Sequence, residues 1–421
     1  MKLCLTNIGK IKTACVDING ITVIAGNNDT GKSTIGKALF AMFNSLYRSD
    51  EKIVNERVNS IENLIDRLYR NATHTFFWDY DCLEYIRNLL THEYSQSNIK
   101  YLKKAILDAV VHFDEKIISQ ANEDDIARFL DSIEEYLRID DDVIFKTVLQ
   151  RRLDSEFNEQ VSNQFASEEE SEITLIVRNE QVTVHIENNS VLRVNKWLNL
   201  GTETIYIDDP FALDEIPRRK KFASRYAGHR DHLLGKLSIY QNESNVVEEL
   251  VATNKLNTIY TKISSVCPGD IVKGNQSSLS YKVSGIKDPL KLRNLSTGLK
   301  TFVILKMLLL NGSIEANGTI ILDEPEIHLH PAWQLLFAEL IVLLHCEFGL
   351  HILLNTHSPY FLNAIEVYSV KYGVEDKCKY YLAREAGGVS FIDDVTDNIE
   401  EIYRKLARPL QDLENERYSD D

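Results

Sequence analysis

Hydrophobic and polar residues alternate along the first 25 positions of the chain, and a helical spacing follows. Turn signals at 7–9 and 19–20 divide the alternating stretch, which predicts two or three strands that end in the apolar run 21–25. Between about 51 and 150, apolar side chains recur at intervals of four and three residues, as at Val54, Val58, Ile61, Ile65 and Leu68. The heptad-like run is too short for a long coiled coil, so the spacing predicts a compact helical insert.

Beyond the insert, short strands give way to an alternation of strands and helices. Segments with a period of two predict an antiparallel meander at 173–178, 181–187 and 190–194. Apolar strands are predicted at 204–207, 319–322 and 351–354, with helices that begin near Ser296 and Pro331. This alternation favours a parallel sheet flanked by helices.

The composition excludes several classes of protein. Hydrophobic residues make up 44% of the 421, which is typical of a folded chain and excludes a disordered one. The apolar stretches are shorter than the ~20 residues that a bilayer crossing needs, so we expect no membrane partner. Six cysteines, at 4, 15, 82, 267, 346 and 378, include no Cys-x-x-Cys pair. They predict reduced thiols in the core of a cytoplasmic protein.

The formal net charge of −16 is unevenly distributed along the chain. Residues 1–50 carry +3 and residues 216–300 carry +9, whereas 51–215 carry −17 and 301–421 carry −11. Because nucleic-acid phosphates are neutralised by Lys and Arg, the stretch 216–300 is a candidate DNA-binding surface, with a solvated basic face as the alternative. The acidic stretch 51–215 favours a protein partner instead.

The segment from Gly26 to Ser33 carries a phosphate-binding pattern of Gly, four residues and Gly-Lys-Ser between an apolar strand and a helix. Glycines let backbone amides turn towards phosphate oxygens, and the following helix directs its positive end at them. Lys32 would bind the outer phosphates and the Ser33 hydroxyl would hold Mg²⁺. The predicted binding residues are Gly26, Asn27, Asn28, Asp29, Thr30, Gly31, Lys32, Ser33 and Thr34.

Two carboxylates follow the predicted strand 319–322, where ligands of open α/β sheets bind. Adjacent residues face opposite ways at a strand end, so Asp323 and Glu324 are expected to have different roles. We predict that Asp323 reaches the Mg²⁺ shell and that Glu324 orients or deprotonates an attacking water.

Five elements in this order resemble the ATP-binding-cassette (ABC) ATPases of the soluble branch that includes the recombination and chromosome-maintenance ATPases. Besides the phosphate loop and the acidic strand end, they are a signature-like segment at 295–300, an interface-crossing loop at 325–331 and a switch-histidine segment at 355–359. The amino-acid sequence of residues 18–28 and 322–331 is similar to that of stand-alone ATPases of bacterial anti-phage systems of the overcoming-lysogenization-defect and Septu types.

The resemblance implies an α/β fold: an ABC-type phosphate-loop NTPase head, with a mixed sheet flanked by helices, a helical insert and a small antiparallel meander. The implied divisions are the first part of the head at 1–50, the acidic helical insert at 51–170, the meander at 171–215, the second part of the head at 216–370 and a short acidic extension at 371–421.

The resemblance also implies ATP hydrolysis, with Glu324 and His357 as the catalytic residues and ATP with Mg²⁺ as cofactors. Ser296 and Gly298 would cap the γ-phosphate of the partner subunit. ATP would then lie between Lys32 of one copy and Ser296 of the other in a head-to-tail dimer or a higher homo-oligomer.

Two functions remain open at this point. The first is an ATPase whose nucleotide-driven closure controls a partner effector, a nuclease or a toxin, in anti-phage defence. The alternative is a repair or recombination ATPase that clamps DNA itself. We expect no nuclease activity from the chain, because Asp393, Asp394 and Asp397 are interpreted as part of a solvated acidic tail.

Two features have no settled role. The glutamine that couples γ-phosphate to the helical lobe in these ATPases cannot be assigned, since Gln96, Gln120 and Gln150 all lie in the insert sequence. The segment 226–232, Tyr-Ala-Gly-His-Arg-Asp-His, is a sensor, an interface element or an ordinary loop.

Overall fold

The computed structural model describes residues 1–77, 79–165, 170–216, 228–238, 257–273 and 279–419. The basic tract Arg218–Lys221 and the first two residues of the segment 226–232 lie outside this range. Within it, the chain divides into a larger unit, residues 1–44, 149–195 and 202–421, and a smaller one, residues 45–148 and 196–201.

The larger unit contains every strand that the structure describes. In chain order the strands are β1 (Lys2–Ile8), β2 (Ile11–Asp17), β3 (Ile21–Ala25), β4 (Ser171–Val177), β5 (Glu180–Glu187), β6 (Ser190–Val194), β7 (Thr204–Ile207), β8 (Asp270–Lys273), β9 (Leu279–Lys282), β10 (Leu290–Lys291), β11 (Thr319–Asp323), β12 (His351–Thr356), β13 (Cys378–Ala386) and β14 (Val389–Asp394).

The helices belong to both units. They are α1 (Lys32–Leu46), α2 (Ser49–Thr73), α3 (Tyr80–Glu93), α4 (Ile99–Phe113), α5 (Lys116–Gln120), α6 (Glu123–Leu137), α7 (Asp141–Phe157), α8 (Ala212–Glu215), α9 (His229–Ser238), α10 (257–266), α11 (Thr297–Leu310), α12 (Pro331–Phe348), α13 (Pro359–Lys371) and α14 (Glu400–Ser419).

Eleven strands form one mixed sheet in the order β6-β5-β4-β1-β2-β14-β13-β3-β12-β11-β7, and β8 to β10 form a small antiparallel sheet. The run from β13 to β7 is parallel throughout. The predicted mixed sheet flanked by helices is therefore confirmed. The predicted meander is also present as β4 to β6, and it continues the large sheet because β4 pairs with β1.

The segment 371–421, predicted as a short acidic extension, contains two strands of the large sheet, β13 and β14. β13 pairs in parallel with β3, the strand that precedes the phosphate loop, and β14 pairs with β2. The prediction was based on the acidic residues of this segment. Apolar side chains between them, such as Tyr380, Leu382 and Ile392, are buried. Asp393 lies in β14 and forms an ion pair with Arg384 of β13, so it belongs to a hairpin and not to a tail.

Helices α11, α12 and α13 pack with β3, β11 and β12 in the main apolar core, to which Phe302, Phe337 and Phe361 contribute buried rings. In the described part of the chain, α12 is the one helix with the length and apolar composition to cross a membrane. Core helices pass the same test, and the buried face of α12 includes Leu340 and Ile341.

The smaller unit is an all-helical bundle with its own core, built from the predicted helical spacing. Ile61, Ile65, Ile86, Leu102 and Ile133 are buried there. Arg57, also buried, donates to the carbonyls of residues 136 and 139 and to the carboxylate of residue 141. These bonds link α2 to the end of α6 and the start of α7. The insert predicted at 51–170 runs past this unit, because residues 149–195 pack with the larger one.

The prediction of six reduced core cysteines is wrong for three of them. Cys4 and Cys15 lie opposite each other in the antiparallel register of β1 and β2 and form a disulfide. Cys346 is exposed, whereas Cys82, Cys267 and Cys378 are buried free thiols. Spacing alone could not reveal the pair, since it arises from the strand register.

Candidate functional site

The phosphate loop leaves the buried strand β3 and curves into the start of α1. Gly31 has a φ of +78°, and a Cβ at this position would lie 2.6 Å from Cδ1 of Ile11, so the turn requires glycine. The hydroxyl of Thr30 donates to the carbonyl of Asn27 at 2.8 Å and fixes the loop from within. The sequence pattern is thus matched by a loop that wraps the N-terminus of a helix.

Lys32 is buried at the base of this loop, with 4% of its surface exposed. Its ammonium donates to the carbonyls of Gly26 at 3.2 Å and Asn27 at 2.8 Å, and it lies 3.3 Å from Oε1 of Glu324. The charge therefore bridges the phosphate loop and the end of β11.

A cleft of about 410 Å³ opens beside Lys32. Its lining includes most of the predicted binding residues, whereas Gly26 and Asn27 contribute carbonyls to Lys32 and do not line it. The lining residues are Lys10, Asn28, Asp29, Thr30, Gly31, Lys32, Ser33, Thr34, Asp208, Asp323, Glu324 and Ile327.

Asp323 is held from both neighbouring strands. Its Oδ2 accepts a 2.7 Å hydrogen bond from the hydroxyl of Tyr206 on β7, and its Oδ1 accepts a 2.9 Å bond from the amide of Asn355 on β12. Glu324 has a left-handed φ of 48°, and its backbone N–H donates to the carbonyl of Asn355. The two carboxylates therefore emerge from one strand end in fixed and different directions.

His357 meets Glu324 at the end of β12. Nδ1 of the imidazole lies 3.4 Å from Oε2 of Glu324. The contact with His357 lowers the pKa of Glu324, with help from Lys32 and against the effect of burial. The same contact raises the pKa of His357, again against burial. The contact therefore favours the ionised form of both side chains.

Glu326 holds the backbone of His357, one member of this pair. The sequence had suggested no role for the Glu326 side chain. It is 2% exposed, and its Oε1 accepts hydrogen bonds from the hydroxyl of Thr356 and from the backbone N–H of His357. Burial raises the pKa of Glu326. A buried carboxyl group therefore ties the loop after β11 to the loop after β12.

Ser296 and Gly298 lie outside the cleft that contains Lys32. Ser296 is exposed at the start of α11, and its side chain makes no capping hydrogen bond. A Cβ on Gly298 would come within 2.9 Å of the carbonyl of His328, so glycine allows α11 to pack against the loop 325–330. Within one chain, the structure does not bring these two residues to the phosphate loop.

Asp208 is a cleft residue that the sequence reasoning missed. β7 pairs in parallel with β11, with Ile207 opposite Leu322, so Asp208 and Asp323 follow neighbouring strands at the same edge. The signal was available: Thr-Ile-Tyr-Ile is a buried strand followed by Asp-Asp, as Thr-Ile-Ile-Leu is followed by Asp-Glu. By contrast, none of Gln96, Gln120 and Gln150 lines the cleft.

Asp208 is bound by two cationic side chains of α9. Nε2 of His229 lies 3.1 Å from Oδ2 of Asp208, and Nη1 of Arg230 lies 3.3 Å from Oδ1. Burial alone would raise the pKa of Asp208, but these partners outweigh it and lower the pKa. Burial would likewise lower the pKa of His229, but hydrogen bonds to Asp208 and Glu156 raise it to about 9.

The chemistry of the cleft fits a nucleotide with Mg²⁺. The loop, the start of α1 and Lys32 provide N–H donors and positive charge for phosphate oxygens. The Ser33 hydroxyl and the carboxylate of Asp323 line the same cleft, and Mg²⁺ prefers such oxygen ligands.

Comparison with known proteins gives a family match and distant structural similarities. A family model described as the AAA ATPase domain matches residues 1–362. Among solved structures, the chain is similar to an SMC head bound to the C-winged helix domain of ScpA, with 14% identity, a TM-score of 0.44, and coverage of 93% of this chain and 96% of that chain.

Two further SMC structures are similar at lower scores. For the SMC head domain from Thermotoga maritima, the identity is 13%, the TM-score 0.38 and the coverage 94% and 98% of the two chains. For the SMC head with an extended coiled coil bound to the C-terminal domain of ScpA from Pyrococcus furiosus, the corresponding values are 12%, 0.34, 99% and 98%.

We expect the substitution Glu324→Gln to lower the pKa of His357 towards the ordinary value of about 6.5, because a neutral amide no longer favours the imidazolium. In the wild type, the contact stabilises the fold fully below that ordinary value as long as Glu324 is ionised, and the contribution is lost as pH rises through the raised pKa of His357. Titration of the histidine Cε1–H resonances by NMR, assigned with His357→Gln, measures the shift. The exposed Glu347→Gln is the matched control, and an unchanged pKa in Glu324→Gln would contradict the assignment.

Proposed function

The chain belongs to the AAA ATPase domain family, and from that premise we propose that it binds ATP with Mg²⁺ and hydrolyses it at the cleft beside Lys32. The observation that carries this proposal is the 3.3 Å contact between Lys32 and Glu324 across the cleft. It places the Lys32 ammonium, which would bind phosphate, beside the Glu324 carboxylate, which can accept a proton from water.

Phosphate binding would use the donors of the loop and the charge of Lys32. Entry of the phosphates gives the ammonium a new anionic partner, so the contact with Glu324 is exchanged for one with phosphate and Glu324 becomes free to bind water. Ser33 and Asp323 would hold the Mg²⁺, which supplies neutralisation of phosphate charge when bound. Tyr206 and Asn355 keep Asp323 in place for this role.

Hydrolysis would depend on Glu324 and His357 as a pair. Glu324, ionised because of its lowered pKa, can orient the attacking water and accept its proton. His357, whose pKa is raised, can donate a hydrogen bond to a phosphate oxygen. Glu326 acts through His357, since it fixes the backbone of that residue.

A second copy of the chain would complete the site. Ser296 is exposed at a helix start, with its hydroxyl free of a capping bond, and this is the arrangement that binds phosphate in other settings. Its position outside the cleft of its own chain supports a head-to-tail dimer or higher oligomer, in which Ser296 and Gly298 of one copy cap the nucleotide held by the other.

The role that we propose for this ATPase is control of an effector protein, a nuclease or a toxin, in cytoplasmic anti-phage defence. The similarity of residues 18–28 and 322–331 to defence ATPases supports it, as does the −17 charge of residues 51–215, which suits a protein partner better than a nucleic acid. Residues 378–394, which follow the family match, form strands of the head sheet, and we expect no nuclease activity from the chain itself.

The composite site predicts a complementation result. Lys32→Ala and Ser296→Arg should each be inactive, because each removes one half of every site. Mixed in equal amounts, they should recover about a quarter of wild-type ATP hydrolysis, since half of the randomly paired dimers hold one intact site out of two. Phosphate release from the mixture measures this recovery.

The control mixture is Lys32→Ala with Glu324→Gln. Both changes lie in the same half of the site, so no pairing restores an intact site and no recovery is expected. Equal rates from the two mixtures would contradict the shared site.

A second candidate function is DNA clamping, favoured by the +9 charge of residues 216–300. It predicts ATP-dependent DNA binding whose logarithmic salt slope is about 0.9 per phosphate contact. The double change Arg218→Ala, Arg219→Ala should then flatten the slope, whereas Lys100→Ala, Lys104→Ala, with the same loss of charge in the helical unit, should not. Salt-independent or absent binding in a filter assay would count against this alternative.

A further inference from the structure

The imidazole of His229 lies between two carboxylates. Nε2 contacts Asp208 at 3.1 Å, and Nδ1 contacts Oε2 of Glu156 at 2.6 Å. The side chain of Glu156 is fully buried, and its other oxygen accepts the backbone N–H of His229. The imidazole therefore contacts the buried carboxylate of Glu156 through Nδ1 and the cleft residue Asp208 through Nε2.

Gly228 lies in close contact with α7 at the start of α9. A Cβ at this position would lie 3.1 Å from Oγ of Ser155 and 3.2 Å from Oε1 of Glu156. A side chain at this position would require Ser155 or Glu156 to shift by a few tenths of an ångström. The described part of the segment 226–232 is therefore a helix start fitted to Glu156, and not an ordinary loop.

The same ring also supports Asp323. His229 stacks on Tyr206, with ring centroids 4.2 Å apart and an interplanar angle of 24°, and it lies nearly perpendicular to the ring of Phe40. The hydroxyl of Tyr206 donates to Asp323. His229 thus contacts one cleft carboxylate directly and the residue that orients a second.

Charge balance explains why such support is needed. Asp208, Asp323 and Glu324 line one cleft, and like charges at short range repel each other in a partly buried site. His229 and Arg230 offset this repulsion through one contact to each carboxylate oxygen of Asp208, which lines the cleft together with Ser33 and Asp323. Asp208 thus keeps its negative charge at the edge of the cleft that Ser33 and Asp323 also line.

We propose that Asp208 is a further oxygen ligand, direct or through water, for the Mg²⁺ of the bound nucleotide, and that His229, anchored on Glu156, is its positioning residue. The inference rests on the proposed function, because it takes the cleft to be the nucleotide site. It adds a metal-binding role for β7 and a positioning role for α9.

The experiment measures Mn²⁺ binding to the full-length chain by electron paramagnetic resonance, in the presence of a non-hydrolysable ATP analogue. Asp208→Asn should weaken Mn²⁺ binding by about tenfold or more, the usual loss on removing a ligand or its support. The matched control, Asp209→Asn, removes the neighbouring carboxylate, which contacts Arg230 but does not line the cleft, and should leave the affinity unchanged.

Two changes of His229 separate positioning from packing. Gln places an amide N–H where Nε2 stood, so His229→Gln should keep the bond to Asp208 and most of the affinity. Asn reaches only the Nδ1 position, so His229→Asn should lose affinity as Asp208→Asn does. If Asp208→Asn does not fold, as judged by its melting temperature, Asp208→Ser takes its place in the comparison.

Equal Mn²⁺ affinity of Asp208→Asn and Asp209→Asn would overturn the role of Asp208. Equal losses for the Gln and Asn variants of His229 would overturn its positioning role. Failure of the proposed function has a different result, because the wild type would then bind neither the analogue nor Mn²⁺.

Discussion

The buried ammonium of Lys32 is the constraint on which the rest of the site depends. A charge with 4% exposure must find compensating partners, and in this fold two loop carbonyls and Glu324 provide them. The carbonyls are available because glycine allows the loop to curve. Glu324 follows β11 with a left-handed backbone conformation, and its carboxylate lies 3.3 Å from the ammonium. In the proposed function, phosphate would replace Glu324 as a partner of Lys32, and nucleotide binding would release this carboxylate.

The parallel strands β3, β12, β11 and β7 bring the remaining groups together. Their carboxyl ends lie side by side and deliver the phosphate loop, His357, Asp323 and Asp208 to one edge of the sheet. Cross-strand bonds then hold each group at a fixed orientation: Glu326 ties the loop of His357, and Tyr206 ties Asp323. A substitution far from the cleft in sequence can therefore change its geometry through these neighbours.

Local patterns were enough to predict the phosphate loop, the Asp-Glu pair and the mixed sheet. Each of these predictions depends on short segments of consecutive residues. Contacts between distant segments were not predicted. Asp208 joins the site only because β7 pairs with β11, more than a hundred residues later, and His229 meets Glu156 across 73 residues. The same limit explains the misplaced C-terminal strands and the disulfide between Cys4 and Cys15, which depend on strand pairing.

The central claim is that Glu324 acts on water in a nucleotide site built around Lys32. The most direct measurement compares ATP binding and phosphate release of the wild type with those of Glu324→Gln. Our account predicts that the variant binds ATP at least as tightly, because the competing contact of Lys32 is weakened, while phosphate release falls by about a hundredfold or more, as expected for loss of a general base. Phosphate release at the wild-type rate from a variant that binds ATP normally would contradict it.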